Sequence, residues 1–214
     1  MSDSIVYIVD DDTAVRDALT MQMEAAGYAA AAFGTAAEFL DVITPDTCGC
    51  VILDVDMPGM DGPALQEALI QRGVQLPVIF LSGKGTIPVT VRTMKAGAMD
   101  FLTKPVDGSV LLASVQKALE QGLLLQKQAE AFQSTASRLA ALTGREREVM
   151  KLAVEGLTSK EIAQHLGISY RTVEIHRAHV MHKTGASNLL ELARIAYASE
   201  SHLTPQEMHN PDKY

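Results

Sequence analysis

Ile5-Val6-Tyr7-Ile8-Val9 runs without a break into Asp10-Asp11-Asp12. A short run rich in β-branched residues, followed at once by three carboxylates, reads as a buried strand whose end opens into a charged crevice. Four further runs have the same character: Tyr28–Phe33, Cys50–Asp54, Pro77–Leu81 and Met99–Thr103. Each is followed by a segment with helical apolar spacing, as at Val15, Leu19 and Met23 or at Ala64, Leu65, Ala68 and Leu69. Strands that alternate with helices require right-handed crossovers, and hence a parallel sheet covered on both faces. The expected fold of this part is α/β, a doubly wound five-stranded sheet of order 2-1-3-4-5.

Outward from that region the composition changes. The 214 residues carry 26 acidic and 18 basic side chains, a net charge of -8. Residues 1–120 hold 16 acids against 7 bases, whereas 143–199 hold 6 against 8 and four of the six histidines. Two regions with different electrostatic partners follow. Local signals mark helix starts: Thr35 with Glu38, Thr143 with Glu146 and Thr158 with Glu161 as capping boxes, Pro63 in a first turn, and Thr86 before Pro88. Residues 109–140 are good helix formers interrupted only by Gly122, a weak point costing about 1 kcal/mol relative to alanine. Residues 143–199 show no strand-like alternation, and four short helices fit, near 145–154, 158–166, 170–184 and 187–198, with Gly156, Gly167 and Gly185 at helix ends. The expected organisation is an α/β domain over 1–120, a helical linker over 121–142, an all-α domain over 143–199 and a frayed tail over 200–214.

At 47% apolar and 21% charged residues, the disordered, collagen-like and disulfide-stapled classes are excluded. Cys48 and Cys50 lack a second metal-ligand pair, which points to a reducing compartment. No stretch has the roughly 18 apolar residues of a membrane span, and the N-terminus carries acids where a signal peptide needs bases, so a cytoplasmic protein with no membrane partner is expected.

In a sheet of order 2-1-3-4-5 the first and third strands flank the topological switch point, so Asp10, Asp11 and Asp12 converge with Asp54. Clustered carboxylates call for a cation, and hard oxygens with room for water and phosphate suit Mg²⁺. Ser82 and Lys104, at the ends of the fourth and fifth strands, add a hydroxyl and a positive charge, implying an anionic ligand.

Four segments carry a resemblance to the receiver domain of two-component response regulators over residues 4–120: Val9-Asp10-Asp11-Asp12, Leu53 through Gly62, Leu81-Ser82-Gly83 and Asp100 through Pro105. The resemblance implies a flavodoxin-like receiver with Asp54 as phosphoacceptor. It implies Mg²⁺ held by Asp11, Asp54 and the backbone carbonyl of Asp56, with Asp10 acting through water. Ser82 and Lys104 would bind the phosphoryl oxygens, Ser82 and Phe101 would form the switch, and the surface of Ile87–Ala96 and Met99–Thr103 would dimerise. Asp12 reads instead as a helix N-cap. Asp56 and Lys84, two residues beyond Asp54 and Ser82, are placed to pair across the entrance.

Residues 143–199 resemble the tetrahelical LuxR/NarL-type helix-turn-helix domain. The segments concerned are Leu142 through Val149, Gly156 through Ala163 and Ile168 through Arg177. With the receiver in front, the FixJ-like regulators are the nearest group. The turn at Gly167 and the first turn of the following helix, Ser169 through Thr172, fit a recognition helix entering a major groove. The candidate DNA-binding residues are Lys160, Ser169, Arg171, Thr172, Ile175, His176, Arg177 and Lys183. Glu174 departs from a lysine that several NarL-type members carry. His176, His179 and His182 lack an acid or cysteine to complete a metal set.

The expected protein is a DNA-binding transcription regulator, not an enzyme beyond its own phosphotransfer. A sensor histidine kinase or small acyl phosphate would charge Asp54. A homodimer would then bind promoter DNA, with RNA polymerase as a further partner. A Mg²⁺-dependent haloacid-dehalogenase-like phosphatase also uses an Asp nucleophile, and Asp54-Val55-Asp56 supplies its Asp-x-Asp pair. Such enzymes place the pair after their first strand and carry a cap, and both features are missing here. A regulator working without phosphate is the third reading.

Overall fold

The structure, a computed structural model, describes residues 4–83 and 87–200. Lys84 and Thr86 lie outside the described residues, as does the expected tail beyond residue 200. The strands are β1 (Ile5–Val9), β2 (Ala29–Phe33), β3 (Gly49–Asp54), β4 (Val78–Ser82) and β5 (Asp100–Thr103). All pairings are parallel, and the order is β2-β1-β3-β4-β5. Each strand lies within one residue of the run read from the sequence. β3 is buried along its whole length, as befits a central strand covered on both faces.

Five helices connect or follow the strands: α1 (Thr13–Ala25), α2 (Ala36–Val42), α3 (Gly62–Gln71), α4 (Ile87–Lys95) and α5 (Gly108–Ala140). Period-two alternation along the strands sends Tyr7, Val9, Val51, Leu53 and Phe80 to one face, where they pack with Phe39 of α2 and Leu65 and Leu69 of α3. Val6, Ile8, Cys50, Ile52, Ile79 and Leu81 face the other side, against Leu19 and Met23 of α1 and Leu111, Val115 and Ala118 of α5. Each fully buried Phe, Leu or Ile contributes about 1.5–3 kcal/mol of transfer free energy. The Cys50 thiol, enclosed in this second layer, has its pKa pushed up to about 12 by burial.

The expected caps form. Asp12 accepts from the Ala14 and Val15 amides, and Pro63 occupies the first turn of α3. Thr35 caps α2, but Glu38 reaches back to the amide of Gly34 rather than to that of Thr35.

Gly122 departs from expectation. It does not break α5, which continues to Ala140; it is buried, and a Cβ there would lie 2.6 Å from the carbonyl oxygen of Gly49. Its missing side chain lets the helix approach the start of β3.

The chain divides into two compact units at Gln128–Ala129. In the second unit, α6 (Gly144–Val154), α7 (Ser159–Leu166), α8 (Tyr170–Thr184) and α9 (Leu189–Glu200) match the four expected helices. Capping boxes open α6 and α7, and Gly167 and Gly185 close α7 and α8 in the left-handed conformation. Val149, Ala153, Ile162, Ala163 and Val173 form one small core, and Leu142, Val180, Ala186 and Leu192 a second, against which Leu139 at the end of α5 packs.

Candidate functional site

Parallel pairing of β1 with β3 puts Val9 beside Leu53, so Asp10 and Asp54 emerge together at the carboxyl edge of the sheet. Both are nearly excluded from solvent, at 2% and 6% exposure. Two buried carboxylates side by side repel unless a cation joins them. Lys104, just beyond β5, supplies one: its Nζ donates to Asp10 Oδ2 over 2.5 Å and to Asp54 Oδ1 over 2.6 Å. Burial alone would lower the pKa of this ammonium, but its hydrogen bonds to both carboxylates, and their charge, outweigh that and hold it above its ordinary value. The other oxygens are also engaged: Asp10 Oδ1 accepts from the Asp12 amide over 3.0 Å and Asp54 Oδ2 from the Asp56 amide over 2.7 Å.

Ser82 ends β4 and is buried; its carbonyl accepts from the Lys104 amide over 2.8 Å, tying the two strand ends together. Phe101 is half-buried, packs against the core, and has its ring centroid 6.1 Å from that of Phe80. The Asp11 and Asp56 side chains are exposed. Among the described residues no three His, Cys, Asp or Glu side chains are grouped so as to hold a metal ion. The four acids named from the sequence therefore do not form a closed cage. The available donors are the hard oxygens of Asp10 and Asp54, Asp11 beside them, and the backbone carbonyl of Asp56. Oxygen donors that leave room for water fit Mg²⁺.

Two residues of the site carried no separate signal in the sequence. Gly62 lies so close to β3 that a Cβ would sit 2.3 Å from the Asp54 carbonyl oxygen, so any larger residue would push α3 off the end of that strand. Arg16, on α1, donates from Nη1 to the carbonyl of Asp10 over 2.7 Å and from Nη2 to Thr13 Oγ1 over 2.9 Å. Its spacing from the acids is a hint only in retrospect.

In the second unit, Ser169 caps α8 by accepting from the Thr172 amide over 3.1 Å, and its hydroxyl is 2.8 Å from that of Thr172. Tyr170, Arg171 and Ile175 are exposed on the first turns of α8, and Lys160 is exposed on α7. His176 is half-buried, with its Nδ1 enclosed and without a hydrogen-bond partner. Arg177 is turned inward and donates to Ser159 Oγ over 3.1 Å.

Lys183 has a partner inside its own unit. Its Nζ donates to Glu146 Oε2 over 2.7 Å, and Glu146 is buried, also accepting from the Thr143 amide over 2.8 Å. A cation pairing a buried carboxylate serves the interior, because removing it would strand that charge. Led by the Lys183 hydrogen bond, these interactions hold the Glu146 carboxyl at about 2, well below the usual 4.5. His179 Nδ1 lies 3.5 Å from the other carboxylate oxygen.

Fold and sites together define an α/β signal-receiving domain joined to a helix-turn-helix domain. Comparison with known proteins bears this out. Residues 6–116 match the response regulator receiver domain, and residues 140–196 match the bacterial regulatory proteins of the luxR family. The transcriptional regulatory protein FixJ of Azorhizobium caulinodans is 43% identical over 191 residues, covering 89% of this chain and 90% of that protein. The C4-dicarboxylate transport transcriptional regulatory protein DctR of Rhodobacter capsulatus is 44% identical over 194 residues, covering 89% and 98%. Among solved structures, response regulator StyR superposes with a TM-score of 0.84 at 36% identity, covering 92% of this chain and all of that one. Full-length FixJ from B. japonicum gives 0.55 at 37% identity, covering 94% and 99%. The chain belongs to the two-component response regulators that join a receiver to a LuxR-type DNA-binding domain, which are transcription regulators and not enzymes.

Proposed function

We propose that Asp54 accepts a phosphoryl group from a sensor histidine kinase or a small acyl phosphate, and that the acyl phosphate controls DNA binding by the second domain. The observation that carries this reading is the pair of hydrogen bonds from Lys104 to Asp54 and Asp10. An Asp54 oxygen attacks phosphorus in line, the bond to the donor's nitrogen or oxygen breaks, and the leaving group departs with its electron pair. Lys104 then transfers one of its hydrogen bonds to a phosphoryl oxygen. Asp11, Asp54 and the backbone carbonyl of Asp56 would hold Mg²⁺, with Asp10 acting through water, and the ion would neutralise charge on the phosphoryl oxygens. The Ser82 hydroxyl binds a phosphoryl oxygen, and Phe101 follows the movement of its loop.

On α4, Ile87, Val91 and Met94 share one exposed apolar face. That face, with β5, is the receiver surface we assign to a homodimer. Arg171, Thr172 and Ile175 are assigned to base edges. Lys160, the helix end at Ser169, His176 and Arg177 are assigned to phosphates, Arg177 through the donors that Ser159 does not take. Residues 1–120 act as the receiver, 121–142 as the linker and 143–199 as the DNA-binding domain, with 200–214 as a tail. No helix among the described residues is long and apolar enough to cross a membrane, and we place the protein in the cytoplasm, with RNA polymerase as a further partner.

Asp54→Asn removes the nucleophile while nearly preserving shape. Incubated with radiolabelled acetyl phosphate and Mg²⁺, the wild type should take up acid-labile label and the variant none. Wild-type labelling of the variant would overturn the assignment.

A further inference from the structure

A cation in the opening turns of a helix faces the positive end of the helix dipole, and that placement is unfavourable where nothing offsets it. Arg16 is the fourth residue of α1 and stands there. Its guanidinium is nonetheless engaged twice: Nη1 donates to the carbonyl of Asp10 and Nη2 to the hydroxyl of Thr13. A Cβ on Gly34 would fall 3.5–3.7 Å from three guanidinium atoms, so the group passes close to that glycine. The Asp10 amide, in turn, donates to the carbonyl of Phe33 over 3.3 Å. Arg16 therefore braces the acidic loop after β1 from within, while a backbone bond ties that loop to the end of β2.

The consequence for Asp10 is specific. All three of its oxygens are held: the carbonyl by Arg16, Oδ1 by the Asp12 amide and Oδ2 by Lys104. The peptide that joins Asp10 to Asp11 is the one whose carbonyl Arg16 grips. Rotation of that peptide about the Asp10 Cα–C bond would leave the Asp10 carboxylate in place and redirect Asp11 and the Asp12 amide that holds Asp10 Oδ1.

We infer that Arg16 is a positioning residue for the phosphoacceptor crevice, fixing the Asp10–Asp11 peptide so that the acids of the β1–α1 loop meet a divalent cation together with Asp54. This deepens the function proposed above and rests on it. Arg16 touches neither the cation nor the phosphoryl group. Its fixed charge alone would repel a cation, so the geometric and electrostatic roles have opposite signs. Lysine keeps the charge but loses the fork that spans the Asp10 carbonyl and the Thr13 hydroxyl.

The test is calorimetric titration of full-length protein with MgCl₂, without phosphodonor, for the wild type, Arg16→Lys and Arg16→Ala. Loss of a group that orients ligands typically weakens metal binding by about 10-fold or more. Both variants should show that weakening, while thermal melting without Mg²⁺ confirms their fold. Labelling by acetyl phosphate should then show the half-saturating Mg²⁺ concentration rising by a larger factor than the plateau rate falls. Unchanged Mg²⁺ affinity in Arg16→Lys, or tighter binding in Arg16→Ala, would overturn the inference. If Arg16→Ala does not fold, Arg16→Lys alone decides. Failure of the wild type to take up label at any Mg²⁺ concentration would instead defeat the phosphoacceptor assignment.

Discussion

Lys183 Nζ lies 2.7 Å from Glu146 Oε2 and so ties the last turn of the recognition helix α8 to the first turn of α6, across 37 residues of sequence. Lys183→Ala would leave a buried carboxylate with fewer partners, and such loss costs about 1–3 kcal/mol, more for a charged group. Thermal or urea unfolding of full-length protein should show the second unit melting earlier, with the receiver transition unmoved. A variant of unchanged stability whose DNA affinity alone fell would return Lys183 to the phosphate-contacting set.

The same carboxylate makes the second unit sensitive to acid. Its folded pKa, about 2, lies below the ordinary 4.5, so its ionised form contributes stability that is fully present above pH 4.5 and is lost as pH falls toward 2. Glu161 and Glu191 are also held low, by hydrogen bonds from Thr158 and Ser187, and act in the same direction. Urea midpoints measured between pH 5 and 3 should therefore fall for the wild type. They should fall less steeply for Glu146→Gln, which starts lower because it cannot ionise to pair with Lys183. Parallel slopes in the two proteins would exclude Glu146 as a source of acid sensitivity.

At Gly122 two effects oppose each other. Alanine favours the helix by about 1 kcal/mol. Its Cβ, however, would stand 2.6 Å from the Gly49 carbonyl oxygen, a backbone atom that cannot swing aside. Overpacking of this kind costs about 1–3 kcal/mol, so Gly122→Ala should destabilise the first unit on balance. A higher urea midpoint for that unit would mean that α5 lifts from β3 without cost.

What the sequence made legible was local. The strands were readable because each is a run of β-branched and apolar residues ending in a charge or turn. The caps at Asp12, Thr143 and Thr158 were readable because a cap and its partner are three residues apart or less. Asp10, Asp54, Ser82 and Lys104 were brought together by strand order alone. Contacts made by long side chains over long separations were not legible. Lys183 and Arg177 have the residue type of phosphate contacts, and only tertiary placement reveals that they bind Glu146 and Ser159. Gly122 looked like a weak point of the helix because propensity knows nothing of Gly49, and Gly62 drew no separate reading because the Asp54 carbonyl approaches it only in the fold.

With Lys183 paired to Glu146, the proposed DNA contacts divide between the two helices. Lys160 is exposed near the start of α7, in the place where a cation and a helix N-terminus together favour a phosphate. Arg171 and Ile175 are exposed on one side of α8, four residues apart, so they lie one above the other on the surface we assign to the groove. A guanidinium pairs with guanine O6 and N7, and an aliphatic side chain packs against the methyl of thymine; each good bidentate pair discriminates by about 1–3 kcal/mol. Lys160→Ala should therefore weaken binding to all promoter fragments alike and reduce the slope of log K against log salt by about one. Arg171→Ala and Ile175→Ala should instead change the ranking of fragments, with Ile175→Ala leaving the salt slope unchanged. Thr172→Ala is a poorer probe, since its hydroxyl also contacts the Ser169 cap and the helix start would change with it. Fluorescence anisotropy on a panel of operator variants, at several salt concentrations, separates these outcomes. If Arg171→Ala and Ile175→Ala lowered affinity uniformly without reordering the panel, α8 would be reading the backbone rather than the bases.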